Sequence, residues 1–153
     1  MLRFLFVVLL TAAFLRADEL QDALEHFWNG EYHSAQTLFK KLSDGGSAEA
    51  AYRLGNMYEF GVGVGMDNHM AHEYYRLAAN RGDSVSMYIV AMHHFRGRGA
   101  VGSMDECVSW LKKAARKGNR KAAYTLGYFY EHGTGALEVS RYRANYWYKI
   151  AKK

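Results

Sequence analysis

The sequence predicts an all-α fold, a right-handed α/α solenoid of antiparallel helix pairs running to about three and a half repeats. Three observations predict it. Residue types recur 36 positions apart, twice over: Gly46, Gly82 and Gly118, then Tyr52, Tyr88 and Tyr124, then Leu54, Val90 and Leu126. Within each period, apolar and small residues recur at three and four, which is one face of a helix. The glycine pairs Gly61/Gly63, Gly97/Gly99 and Gly133/Gly135 fall between the two halves of each period, where left-handed backbone ends a helix. A period of this length marks helix pairs that stack to complete one another's core.

Composition agrees and excludes alternatives. Of 153 residues, 50% are apolar and 23% charged, enough for a packed core and too apolar for a disordered chain. There is no proline, which rules out Pro-rich linkers. The single cysteine, Cys107, rules out an internal disulfide framework and a multi-thiolate zinc site.

Residues 1–17 read as a signal peptide. Arg3 supplies a positive start, and Phe4 to Leu15 is apolar except for Thr11. Twelve residues are too few to span a bilayer as a helix, which needs about 20. Cleavage is expected at Ala17 or Ala13, and a retained short anchor is the alternative. Export to the periplasm or outside follows from either, and one lone cysteine agrees with it.

Residues 18–46 read as an N-terminal helix pair, whose second half, Ala35-x-x-Leu38-Phe39-x-x-Leu42, joins the periodic series. Residues 47–82, 83–118 and 119–153 are the full repeats. In the first, Ala48, Ala51, Leu54, Gly55 and Tyr58 form one helix face, and Tyr74, Tyr75, Ala78 and Ala79 the face that meets it. The small Ala51 and Gly55 allow close approach. The second repeat carries Cys107, Trp110, Leu111, Ala114 and Ala115 at the matching positions, and the third Ala144, Trp147, Tyr148 and Ala151, after a one-residue insertion.

This arrangement resembles the Sel-one-like repeat (SLR) family, relatives of the tetratricopeptide repeats. The first full repeat matches nearly throughout: Leu54-Gly55, Tyr58, Gly61-Val62-Gly63-Val64, Asp67, Ala71, Tyr74-Tyr75, Ala78-Ala79 and Gly82. The second departs at Ala91, His94, Ala100 and Cys107, the third at Ala136 and by its insertion. Residues 20–46 fit the tetratricopeptide variant better, through Ala23, Phe27, Gly30, Tyr32, Ala35, Phe39 and Leu42. The resemblance implies a binding scaffold, and fold alone does not set activity.

By analogy with tetratricopeptide-like stacks, the first helix of each pair lines a concave face. The analogy places Tyr52, Asn56 and Glu59 there, with Glu49, from the first repeat. Tyr88, Met92 and Phe95, with Val85, come from the second, and Tyr124, Tyr128 and Glu131, with Lys121, from the third. The tyrosines offer rigid contact area and a hydroxyl, which suits peptide recognition, and the same pattern positions also serve packing between repeats. Met92 and Tyr128 are not pattern residues and point more directly to a groove.

Catalytic and metal motifs are weak. Ser109 and Lys112 satisfy Ser-x-x-Lys, but the companion Ser-Asp-Asn and Lys-Thr-Gly elements are absent. The glycine runs follow helices, not strands, so they are no phosphate cradle. His69 and His72 are spaced to meet one metal, and His93 and His94 are adjacent, yet no third ligand has a defined spacing. Solvated histidines are the expectation. Cys107 replaces a core alanine and is expected to be a buried small side chain rather than a nucleophile.

Charge follows the repeat order. Residues 18–46 hold two basic against six acidic residues, net −4, and the full repeats run −1, +3 and +5. Surface variation and oriented docking both account for such a gradient. The function expected is a non-catalytic protein–protein interaction scaffold or adaptor of the bacterial cell envelope or secreted fraction, binding a partner peptide or helix on its concave face. The alternatives are a hydrolase of peptidoglycan-type or β-lactam substrates and a small-ligand or metal binder. No cofactor and no nucleic-acid partner are expected, and membrane contact only through the leader. The open edge of the helix bearing Tyr146, Trp147, Tyr148 and Ile150 is a further expected docking site, for a partner or for self-association.

Overall fold

The computed structural model describes residues 17–135 and 137–152. The leader over 1–16, cleavage at Ala13 and the departure at Ala136 lie outside the described residues. Those residues form helices and connecting turns with no strand: α1 (17–28), α2 (Tyr32–Asp44), α3 (Ala48–Phe60), α4 (Asn68–Asn80), α5 (Ser84–Arg96), α6 (Met104–Arg116), α7 (Arg120–His132) and α8 (Arg141–Ala151). The predicted solenoid of helix pairs is the observed one.

Each full repeat is built by the same local chemistry. A short polar side chain caps each helix: Ser47 Oγ accepts from the Ala50 N–H at 3.2 Å, Asp67 Oδ1 from His69 and Met70 at 2.9 and 3.0 Å, and Asn119 Oδ1 from Ala122 at 3.0 Å. The first helix of each pair stops on a glycine in left-handed conformation, at φ 67°, 64° and 65° for Gly61, Gly97 and Gly133. The one-residue insertion of the third repeat falls in the turn before α8 and leaves the α7–α8 packing in register.

The helices of one repeat pack against each other, α3 on α4, α5 on α6 and α7 on α8, and the seams α2–α3, α4–α5 and α6–α7 join successive pairs. Leu54, Val90 and Leu126, one per period, are fully buried. Phe39, Leu54 and Met57 centre the N-terminal part of the core, and Tyr75, Val90, Leu111 and Leu126 the rest. Seams also carry polar ties, such as the Asn119 amide donating to the Ser84 carbonyl at 2.9 Å. The solenoid thus holds α3, α5 and α7 side by side as one layer.

Candidate interaction surface

The α3/α5/α7 layer presents its predicted residues unequally. Tyr52 is half-buried against the Tyr75 ring, centroids 6.0 Å apart. Asn56 is half-buried, its side-chain amide 2.8 Å from the Tyr75 hydroxyl oxygen. Tyr88 and Met92 are half-buried on the core, while Phe95, Tyr124, Tyr128 and Glu131 are exposed. Phe95 packs on the buried Phe129 at 5.1 Å and is braced from below, while Tyr128 stacks on the exposed His132 at 4.2 Å. The apolar part of the face lies along α5 and α7.

Glu59 corrects the sequence expectation. It is not open to a partner: its side chain is 11% exposed and accepts from the Tyr75 hydroxyl at 2.6 Å. Arg98, from the turn after α5, meets the other carboxylate oxygen at 2.9 Å and also donates to Asn68 Oδ1 at 2.9 Å. His93 Nε2 lies 3.6 Å from the same carboxylate. The second repeat therefore closes over a carboxylate of the first, and Arg98 supplies the counter-charge that a buried carboxylate needs. Burial and the Glu59 bond push the Tyr75 phenol far above its usual range.

The Glu59–Tyr75 pair belongs to a three-residue set. An added Cβ at Gly55 would come within 2.6 Å of the Tyr75 ring, so only glycine admits the tyrosine. The third repeat repeats the set: a Cβ added at Gly127 would come within 2.5 Å of the Tyr148 ring, and the Tyr148 hydroxyl donates to Glu131 Oε2 at 2.6 Å. The second repeat replaces all three together, with Ala91, Leu111 and Phe95. A β-carbon on one helix excludes the ring, and without the phenol the carboxylate position turns apolar.

The histidines are a second correction. His72 and His93 are buried rather than solvated, at 5% and 4% exposure. Sequence separation hid their meeting. His72 on α4 stacks on His93 at 5.6 Å and meets His94 edge-on at 5.3 Å, across the α4–α5 seam. The Nδ1 atoms of His72 and His93 are buried without a hydrogen-bond partner. Burial, then the neighbouring His93 and His94, lowers the His72 pKa to about 4. Burial lowers His93 as well, against the pull of Glu59. His69 is exposed and does not join them, and among the described residues no three His, Cys, Asp or Glu side chains are placed to hold one metal ion.

The other chemical candidates resolve into core and surface. Trp110 and Leu111 are buried and Ser109 faces solvent, as expected of a helix whose core dyad lies between Ser109 and Lys112. Cys107 is fully buried, and burial pushes its thiol up to about 12. Sequence reasoning missed Arg98, which sits in a turn with no helical period. The Gly–Tyr–Glu set was readable, because its members recur across the first and third repeats.

Comparison with known proteins gives this architecture relatives. The family model for the Sel1 repeat matches residues 48–83, 84–119 and 120–153. The chitin synthase regulator SKT5 of Saccharomyces cerevisiae is 34% identical over 93% of this chain and 22% of its own length. The chain thus spans about a fifth of that relative. Among solved structures, c5321, a protective antigen of uropathogenic Escherichia coli strains with an SLR fold, superimposes with a TM-score of 0.81 at 30% identity, covering 90% of this chain and 30% of the antigen. A Sel1 repeat protein from Oxalobacter formigenes gives 0.78 at 26% identity, over 87% of this chain and 54% of that protein.

Proposed function

Because this chain belongs to the Sel1 repeat family, we propose that it is a non-catalytic scaffold or adaptor holding an extended peptide or a helix of a partner protein on its α3/α5/α7 face. One observation carries the reading. Exposed apolar side chains, Phe95 on α5 with Tyr124 and Tyr128 on α7, stand on neighbouring helices of one layer, each against a neighbouring ring, Phe129, Tyr148 and His132. Braced aromatics in a row give contact area at little entropic cost, which is what peptide capture needs. A regulator among the relatives supports an adaptor role. The leader-like composition of residues 1–17 supports export, to the bacterial cell envelope or the secreted fraction, as part of the same proposal.

The test is a pull-down from extract of the source cells, with the 153-residue chain as bait beside a Met92→Ala/Tyr128→Ala bait. The proposal expects a partner held by the wild type and lost by the double variant. A partner held equally by both removes the α3/α5/α7 face from the reading.

A further inference from the structure

The helices α6 and α8 hold the same place in the second and third full repeats, and their core positions agree: Cys107 with Ala144, Trp110 with Trp147, Leu111 with Tyr148. Their outward positions do not. Where α6 has Asp105, Glu106 and Ser109, α8 has Tyr142, Arg143 and Tyr146. Tyr142 is 84% exposed and Tyr146 55%, so the core does not use them. Between α8 and α6 runs a cleft bounded by these three residues with Lys112, Tyr130 and Trp147. Its two charged side chains are both cations, Lys112 from α6 and Arg143 from α8. Among the described residues neither meets a carboxylate within ion-pair distance. The Arg143 guanidinium lies 5.4 Å from the centre of the buried Tyr130 ring, and Tyr146 sits edge-on to Trp147 at 5.1 Å. The cleft opens on the α6 side of α8, within the stack. Asp105, Glu106 and Ser109 stay exposed with α8 in place, so exposure at these positions belongs to the repeat itself.

We infer that the α6–α8 cleft binds an acidic segment of a partner protein, its carboxylates meeting Lys112 and Arg143 and an apolar side chain packing on Tyr142 and Tyr146. The inference rests on the scaffold reading and adds a second face to it, none of whose residues belongs to the α3/α5/α7 set. Charge complementarity selects the occupant. Two cations on opposite banks, with no carboxylate between them, call for anionic groups at two points. Arg143, already laid against a ring, loses less freedom when its fork bonds a carboxylate. Tyrosine, tryptophan and arginine together are the residue types that concentrate at the centres of protein interfaces. Lys112 is half-buried, so an extended segment that enters the cleft reaches it where a flat anionic surface does not.

The probe is a capped synthetic peptide, Glu-Glu-Leu-Glu-Glu-Leu, titrated into the isotope-labelled 153-residue chain. Nuclear magnetic resonance follows the indole N–H of Trp147, with Trp28 as the internal reference. We expect a saturable shift at Trp147 and none at Trp28. Binding should weaken about tenfold in Lys112→Gln/Arg143→Gln and about threefold in Tyr142→Ala/Tyr146→Ala, with unchanged thermal melts. Lys40→Gln/Lys152→Gln removes the same charge outside the cleft and should change binding less than about twofold. Absence of a saturable shift in the wild-type chain, or equal loss in the two charge variants, overturns the inference. Heparin or phosphatidylglycerol vesicles bound through Lys112 and Arg143 where the peptide is not bound also overturn it, because the occupant is then an anionic polysaccharide or a lipid surface. The Met92→Ala/Tyr128→Ala chain should bind the peptide normally, so failure of the pull-down and failure of this cleft are read separately.

Discussion

The Tyr75 hydroxyl donates a 2.6 Å hydrogen bond to a Glu59 carboxylate that the next repeat has largely covered. That cover makes Arg98 the counter-charge of the seam, since an uncompensated, mostly buried charge costs more than the pair gains. Arg98→Ala should destabilise the chain by about 2 kcal/mol in urea denaturation. Arg98→Lys should recover only part, because one ammonium replaces a fork that spans Glu59 and Asn68. By contrast, Tyr148→Phe should cost less than about 1 kcal/mol, since water reaches Glu131 when the phenol is gone.

Gly55→Ala should destabilise by about 1–3 kcal/mol, the usual range for forcing atoms into a packed contact. Its Cβ meets the Tyr75 ring at 2.6 Å. Adding Tyr75→Leu should recover part of the loss, since the second repeat already pairs Ala91 with Leu111. If the double variant is less stable than the sum of the two single changes predicts, the steric link between the positions is wrong.

The buried His72 should make stability fall in mild acid. Its folded pKa is depressed to about 4 from 6.5, so between those values the unfolded chain binds a proton that the folded chain refuses. Stability from this group is complete above pH 6.5 and is lost as pH falls toward 4, by about 2 kcal/mol at pH 5. The surrounding groups are Glu59 on α3, Glu73 and Arg76 on α4, His93, His94 and Arg96 on α5, and Arg98 in the following turn. His72→Val copies the second repeat, where Val108 holds the matching position. The variant should show a flatter dependence of the urea midpoint between pH 7.5 and 5.0, and equal slopes would sink the assignment.

Cys107 should behave as an inert core atom. Fully buried, with its thiol pushed up to about 12, it should react with a disulfide reagent roughly 100-fold or more slower than a free cysteine in the native chain. Labelling should follow unfolding as urea is added. Fast labelling without urea would mean that the α5–α6 pair opens in the native state.

The sequence by itself determined the helix pairs and their stacking. A 36-residue period places Leu54, Val90 and Leu126 on one buried line, and glycines mark where the helices of the full repeats stop. Those are local rules, and every repeat obeys them. The buried state of Cys107 was legible for the same reason, as a substitution at a core position. What only the tertiary structure decided lies in the seams. Glu59 and Glu131 occupy the same place in the period, yet one is largely covered and the other half open, because α5 and the Arg98 turn lie over the first. His72, His93 and His94 meet because α4 and α5 pack against each other across a repeat boundary. Periodicity describes the face a helix offers to its own repeat. Burial of a charge or a histidine depends on which atoms of the next repeat arrive above it, and that is a property of the stack.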